Sequence, residues 1–357
     1  MRNFNPKNIC IIRLSALGDV THVLPVINAL RQAIPGCKIT WIIGSVEKRL
    51  LGNLQDIDFI VFNKKRGWLE YLRMYALLKH RQFDALLHMQ LSLRANLIAA
   101  LVKARVKIGF DYQRAKEGHS LVVNKRIAYQ TNQHVLDALF SFLPMLEVDI
   151  KNIDYSLPIS DSTREAVSQI LPKQRPYVVI SPASIHSLRN WSVEGYAKVA
   201  DHLINKFGVS VVLSGGKTKI EYELGEAIES AMRQKAYNLI GKDTIEQLAA
   251  ILEQALFLIS PDSGPAHIAN AVGTPVLGLY AATDSHRSGP YHSRDYCVDH
   301  YAEAAEKFLG KAANQLKWGQ KIEIPGVMDL IKTDEVIEQV DKLMSQFSPE
   351  QVAFGRE

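Results

Sequence analysis

Four loops in this 357-residue chain combine acids, small hydroxyl residues, glycines and single cations at the ends of apolar runs. The first is SALGD, where Asp19 follows Gly18 between a strand-like and a helix-like run. A dinucleotide site would carry G-x-G-x-x-G at such a junction, and a P-loop G-x-x-x-x-G-K-[ST]. Neither occurs, which speaks against a nicotinamide dehydrogenase and a P-loop kinase. Gly18 permits a tight turn, and Asp19 then stands at a strand's carboxyl end, either as a helix cap or as a general base. Pro25 weakens the cap reading, because it would fall inside a helix begun at Asp19; a distorted first turn or a later start is easier.

The second loop is SPDSGPAH, residues 260–267. Pro265 suits the first turn of a helix, and Ser263, Gly264 and nearby N–H groups would face an anion at its N-terminus. Asp262 would repel a phosphate unless it orients the loop or a sugar hydroxyl. His267, one turn on, either reaches the same anion or packs against the next strand. The third loop, SPASIHSLRNW (181–191), offers Ser181, Ser184 and Arg189 to phosphate oxygens, with Arg189 neutralising a diphosphate leaving group or standing idle at the surface. The fourth, SGGKTKIEYE (214–223), places Glu221, with Glu223 close behind, where a carboxylate accepts from ribose hydroxyls. No Asp/His cluster has metal-ligand spacing, so no metal and no cofactor is expected, and Arg189 with helix dipoles would do a metal's work.

These loops need a framework. Runs such as ICIIRL, KITWII, IDFIVF, DALLHM and VKIGF alternate with helical patterns, and YVVISP, VSVVLS, AYNLIG, ALFLIS and PVLGLY repeat the scheme. Strict alternation implies parallel sheets covered by helices on both faces. The chain therefore reads as α/β with two Rossmann-like domains facing across a cleft: residues 1–158, residues 159–330, and a C-terminal helix over 331–357 that packs back on the first domain. Thr333 is expected to cap that helix, whose Val336, Val340, Leu343, Met344 and Phe347 share one face.

Hydrophobic residues at 47% and charged residues at 22% describe a globular chain, and the distant Cys10, Cys37 and Cys297 suggest neither a metal nor a disulfide framework. MRNFNPKN lacks an apolar signal core and no run approaches 18 apolar residues, so a cytoplasmic location is expected. Residues 1–150 hold 21 Lys+Arg against 11 Asp+Glu, a net of +10, while the remainder carries −5. An acidic partner, if any, should meet the first half.

The stretches RLSALGDVTHVLPVINAL, PDSGPAHIANAVGTPVLGLY and GFDYQRAKEGHSLVVNKR with NQH following resemble the lipopolysaccharide heptosyltransferases, glycosyltransferase family 9. The resemblance spans roughly residues 8–285, and the DYQRAKE segment with the later QH resembles type I members. It implies the GT-B fold and inverting, metal-independent transfer of L-glycero-D-manno-heptose from ADP-heptose, a substrate, to a Kdo sugar of lipid A. It places the general base on Asp19, a phosphate-binding cation on Arg189 where a lysine is familiar, and the D(S/T)G…H motif on Asp262, Ser263, Gly264 and His267. Acceptor contacts fall on Lys64, Lys65, Lys116 and His134. Peripheral contact with the anionic inner membrane leaflet, and no nucleic acid, complete the expected partners. Residues 291–326 extend beyond the resemblance, and Lys307, Lys311, Lys317 and Lys321 there suggest a solvated helical insertion or an added acceptor or lipid contact. An epimerase, a transferase for another sugar, and a non-catalytic nucleotide-binding protein are the alternatives.

Overall fold

The computed structural model describes residues 6–149, 152–155, 157–171 and 176–354. The chain divides into two compact units, Met1–Pro158 and Ile159–Glu357. In the first, β1 (Asn8–Ile12), β2 (Lys38–Gly44), β3 (Ile57–Phe62), β4 (Phe83–His88), β5 (Ala104–Gly109) and β6 (Lys125–Arg126) form a parallel sheet in the order β3-β2-β1-β4-β5-β6. In the second, β7 (Tyr177–Ile180), β8 (Ser210–Leu213), β9 (Tyr237–Asn238), β10 (Leu258–Pro261), β11 (Val276–Tyr280) and β12 (Val298–Asp299) repeat that order as β9-β8-β7-β10-β11-β12. Both are Rossmann orders, with the reversal between β1 and β4 and between β7 and β10, where crevices for ligands form outside the strand ends.

The central strands are continuous apolar runs because both faces are covered: Ile9 to Ile12 and Val178 to Ile180 are fully buried. Ten strands coincide with apolar runs read from the sequence. The two others, β6 and β12, are two-residue edge strands whose pairing rests on neighbours rather than on a run of their own. Gly109 at the end of β5 has to be a glycine, since a Cβ there would collide with the His119 ring and Val123.

The proline in the first crossover divides the expected helix in two. A short turn runs Leu17–Thr21, and a second helix, Leu24–Ala33, takes Pro25 into its first turn, where no N–H is missed. Gly18 lies buried within the helical turn and has no left-handed φ, so it allows close packing rather than an unusual turn.

The C-terminal helix, Thr333–Met344, departs from expectation. Val336, Val340, Leu343 and Met344 are buried in the core of the second unit, and Trp191 Nε1 donates to the Ile331 carbonyl at 3.0 Å. Its apolar stripe is thus used within its own unit. Lys332, not Thr333, holds the N-cap position. The 291–326 stretch is likewise integrated: Tyr301, Ala304 and Ala305 of the helix Tyr301–Leu309 and Ile322 join that core, while Lys307, Lys311, Lys317 and Lys321 are exposed.

Candidate active site

In the first unit the loop after β1 meets the loop after β4 at the point where strand order reverses. Arg13 Nη1 donates to the Met89 carbonyl, Leu14 N–H donates to Gln90 Oε1 at 2.6 Å, and Gln90 Nε2 donates to Ser15 Oγ at 3.3 Å. On this base stands Asp19, whose Oδ2 lies 2.6 Å from Arg13 Nη2 and accepts from the Ala16 N–H at 3.1 Å. The Asp19 side chain is 35% exposed against 11% for Arg13. Asp19 therefore caps its turn and is also held, charged and accessible, by a nearly buried guanidinium. The cap and base readings do not exclude each other, because a carboxylate has lone pairs to spare for an incoming hydroxyl.

The cations expected to contact an acceptor flank this point along the same strand edge. Lys64 and Lys65 are exposed in the turn Lys64–Arg66 after β3, and Lys116 is exposed in the loop after β5. At about 4.8 Å between strands, β3 and β5 each stand two strands, roughly 10 Å, from β1 along the edge. His134 differs from expectation. It is 2% exposed and its Nδ1 accepts from the Leu136 N–H at 3.1 Å, so it serves as a buried helix cap rather than a cationic surface contact.

Behind Lys116 lies a buried polar cluster. Asn96 Oδ1 faces His88 Nε2 at 2.8 Å and His119 Nδ1 at 3.2 Å, and Asn96 Nδ2 donates to the Glu117 carbonyl at 2.7 Å. His119 Nε2 accepts from the Phe110 N–H at 3.0 Å, so its proton sits on Nδ1 and points at Asn96. Burial pulls the His88 and His119 rings down to about 3 and about 4, which keeps both neutral. This cluster ties the Lys116 loop to β4 and to the helix Leu93–Leu101.

In the second unit, β7 and β10 are neighbours and their loops interlock. Ser184 Oγ donates to the Asp262 carbonyl at 3.0 Å. Arg189, 8% exposed in the turn Ser187–Arg189, donates from Nη1 to Asp262 Oδ2 at 3.2 Å and from Nε to Glu323 Oε1 at 2.9 Å. Its Nη2 lies 2.7 Å from the same Glu323 oxygen but makes no hydrogen bond among the described residues. Asp262 thus orients the guanidinium and the loop, which answers why an acid stands beside an anion site. Burial raises the Glu323 carboxyl, but the Arg189 hydrogen bond and charge outweigh it and hold the group below its usual range.

The helix Gly264–Ala271 begins beside this arginine. Ser263, at its N-cap, directs its hydroxyl to Ser260 Oγ at 2.7 Å instead of capping the turn, which leaves the first N–H groups without a side-chain cap. His267 lies in the first helical turn at 9% exposure. An open N-terminus beside a guanidinium fits a diphosphate. Ser181 is enclosed at 1% exposure and lies beneath the loop instead of lining it.

Glu221 departs from the ribose reading. Its Oε1 accepts from the Gly216 N–H at 2.7 Å, and its Oε2 from the Thr218 N–H and hydroxyl at 3.1 and 2.6 Å, closing a capping box on the helix Lys219–Ala231. Both oxygens shape the glycine loop. Glu223 is exposed and pairs with Lys219 at 3.4 Å. Nearby, Asp243 follows β9 and accepts from Ser214 Oγ at 3.4 Å; burial pushes its carboxyl up to about 6.

Sequence reading missed Glu323, Gln90, Asn96 and Asp243. Asp284, His286 and Asp299 bring three ligand-type atoms within 4.8 Å, but the two carboxylates accept backbone N–H groups of Ser285, His286 and Tyr301.

The family model for glycosyltransferase family 9 (heptosyltransferase) matches residues 71–318. The chain belongs to glycosyltransferase family 9. It is 38% identical over 338 residues to the lipopolysaccharide core heptosyltransferase OpsX of Haemophilus influenzae, covering 95% of this chain and 97% of that one. Lipopolysaccharide heptosyltransferase 1 of Escherichia coli K12 is 24% identical over 79% of this chain and 90% of its own. The type I likeness expected from DYQRAKE is thus weaker than the likeness to OpsX. Among solved structures, the family 9 glycosyltransferase of Veillonella parvula superposes with a TM-score of 0.79 at 22% identity, over 97% and 99% of the two chains. The E. coli heptosyltransferase WaaC with ADP gives 0.72 at 20%, over 94% and 99%. The chain is a glycosyltransferase of α/β, GT-B architecture.

Proposed function

We propose that this enzyme builds the lipopolysaccharide core, transferring L-glycero-D-manno-heptose from ADP-heptose to a Kdo residue of the lipid A inner core with inversion and without a metal. One observation carries the reading: Arg189, held by Asp262 and Glu323, sits beside the open N-terminus of the helix Gly264–Ala271, on adjacent strand ends. That pairing suits the two phosphates of a nucleoside diphosphate leaving group. Ser184, Asp262, Ser263, Gly264 and His267 complete the donor contacts; Ser181 and Glu221 act beneath them, setting the two loops.

The first unit supplies the base. An acceptor hydroxyl attacks the anomeric carbon, the bond to the diphosphate breaks, and Asp19 takes the hydroxyl proton. A carboxylate is a weak base, so proton transfer comes late, as the sugar gains positive charge. Lys64, Lys65 and Lys116 would hold carboxylates or phosphates of the acceptor, in keeping with the +10 of the first 150 residues. Among the described residues no helix is long and apolar enough to cross a membrane, so contact with the lipid-borne acceptor is taken as peripheral, at the anionic cytoplasmic leaflet.

The test is mass spectrometry of Kdo-lipid A incubated with the purified enzyme and ADP-heptose. A heptose-mass gain with release of ADP supports the reading. An unchanged acceptor with intact donor refutes it, and a donor altered without acceptor points to an epimerase.

A further inference from the structure

The helix Leu69–Leu78 is apolar on both of its faces. Glu70, Met74 and Leu78 are buried. At 100° per residue, Trp68, Leu69, Leu72 and Tyr75 fall within roughly 120° on the opposite side. They are 69, 50, 56 and 55% exposed. The helix Leu93–Leu101 packs beside it and exposes Leu93 and Leu97 at 56 and 46%. The outer face of a surface helix is ordinarily polar, and a cluster of large exposed apolar side chains marks a surface with a partner.

The exposed charges around this face are mainly basic, with Glu117, whose carboxylate accepts from the Leu93 N–H, as an acid at its edge. Lys64, Lys65 and Arg66 are exposed in the turn leading into the first helix; Lys79 follows its last turn, and Arg94 lies between Leu93 and Leu97. The one acid within the helix, Glu70, is fully buried and bound by Arg73 at 2.6 Å. Two copies of such a face would bring like charges together, whereas an anionic surface would neutralise them.

The geometry points to this face as the surface by which the enzyme docks on an anionic lipid bilayer. Trp68, Leu69, Leu72 and Tyr75 enter the headgroup boundary, where amphipathic rings and apolar side chains are favoured, and Lys64, Lys65, Arg66 and Arg94 meet lipid phosphates. One short helix with a basic rim gives reversible attachment. The inference deepens the proposed function by naming the surface that would bring the first unit to a lipid-borne acceptor, but its geometry stands without that reading.

Flotation of the full chain with vesicles separates the cases. The chain should float with phosphatidylcholine–phosphatidylglycerol vesicles, less so as salt rises, and remain behind with phosphatidylcholine alone. Leu72→Ser/Tyr75→Ser should weaken that binding by roughly tenfold or more while melting and transfer to a soluble, lipid-free acceptor stay unchanged. Trp68 fluorescence should shift to the blue on binding, a shift absent in Trp68→Leu. No flotation of the parent chain, or equal flotation of the double variant, overturns the proposal. So does a dimer in light scattering that the double variant dissociates, because a second copy would then cover the face. Intact vesicle binding without transfer to any acceptor would instead count against the activity and leave the docking face standing.

Discussion

Arg189→Met tests the second-unit site where its electrostatics are most constrained. Methionine keeps much of the side-chain length but removes the charge that faces Asp262 at 3.2 Å and Glu323 at 2.7 Å. Two carboxylates, 13 and 26% exposed, would then face each other without their shared cation. Removing one partner of a fully buried pair costs about 3–5 kcal/mol, and the water around Glu323 reduces that to about 2 kcal/mol. For a unit of this size that is a fall in Tm of roughly 4–8 °C at neutral pH. The pH dependence carries the stronger test. Arg189 holds the Glu323 carboxyl below its ordinary range, so its contribution is full above the unfolded value near 4.3 and is lost as pH falls through the folded one. The gap between parent and variant should narrow below about pH 4.5, and Glu323→Gln in the Met background should recover part of the loss. By calorimetric titration, loss of a charge-assisted phosphate contact should weaken ADP about 10–100-fold, with adenosine affinity unchanged. A deficit as large at pH 4 as at pH 7, or unaltered ADP affinity, would refute the assignment of Arg189.

Asp19→Asn should leave ADP affinity within about twofold while lowering kcat at least 100-fold, as expected for a lost general base; rapid residual turnover would mean another group takes the proton. Asn96→Leu should cost about 3 kcal/mol in urea unfolding, because two imidazole N–H groups and the Glu117 carbonyl lose their partner in the core; a loss below 1 kcal/mol would show the cluster is not dry. The neutral His88 and His119 predict acid sensitivity. Their folded values, about 3 and about 4, lie below the unfolded value, so the unfolded chain binds more protons and stability falls from about pH 6.5 toward pH 4. Each ring contributes up to about 1.4 kcal/mol per pH unit, and His119→Gln should flatten the slope of Tm against pH.

The sequence determined what local periodicity and chain punctuation can express. Ten apolar runs marked ten strands, and Pro25 placed the break between Leu17–Thr21 and Leu24–Ala33. The glycine-poor SALGD loop lacks the dinucleotide fingerprint and leaves Asp19 at a strand end, and Pro265 after Ser263 and Gly264 marks an open helix start. Such features are legible because backbone sterics and burial act within a few residues. Tertiary structure decided what each polar side chain does once the chain returns on itself. Glu323 reaches Arg189 across 134 residues and Gln90 reaches Leu14 across 76, contacts no spacing announces. Asn96 gathers two histidines from separate elements. Burial likewise makes His134 a helix cap and places the C-terminal helix in the second unit's core, while Glu221 is committed to the capping box Thr218-x-x-Glu221. Residue type states what a group can do; only the partners brought to it by folding state what it does.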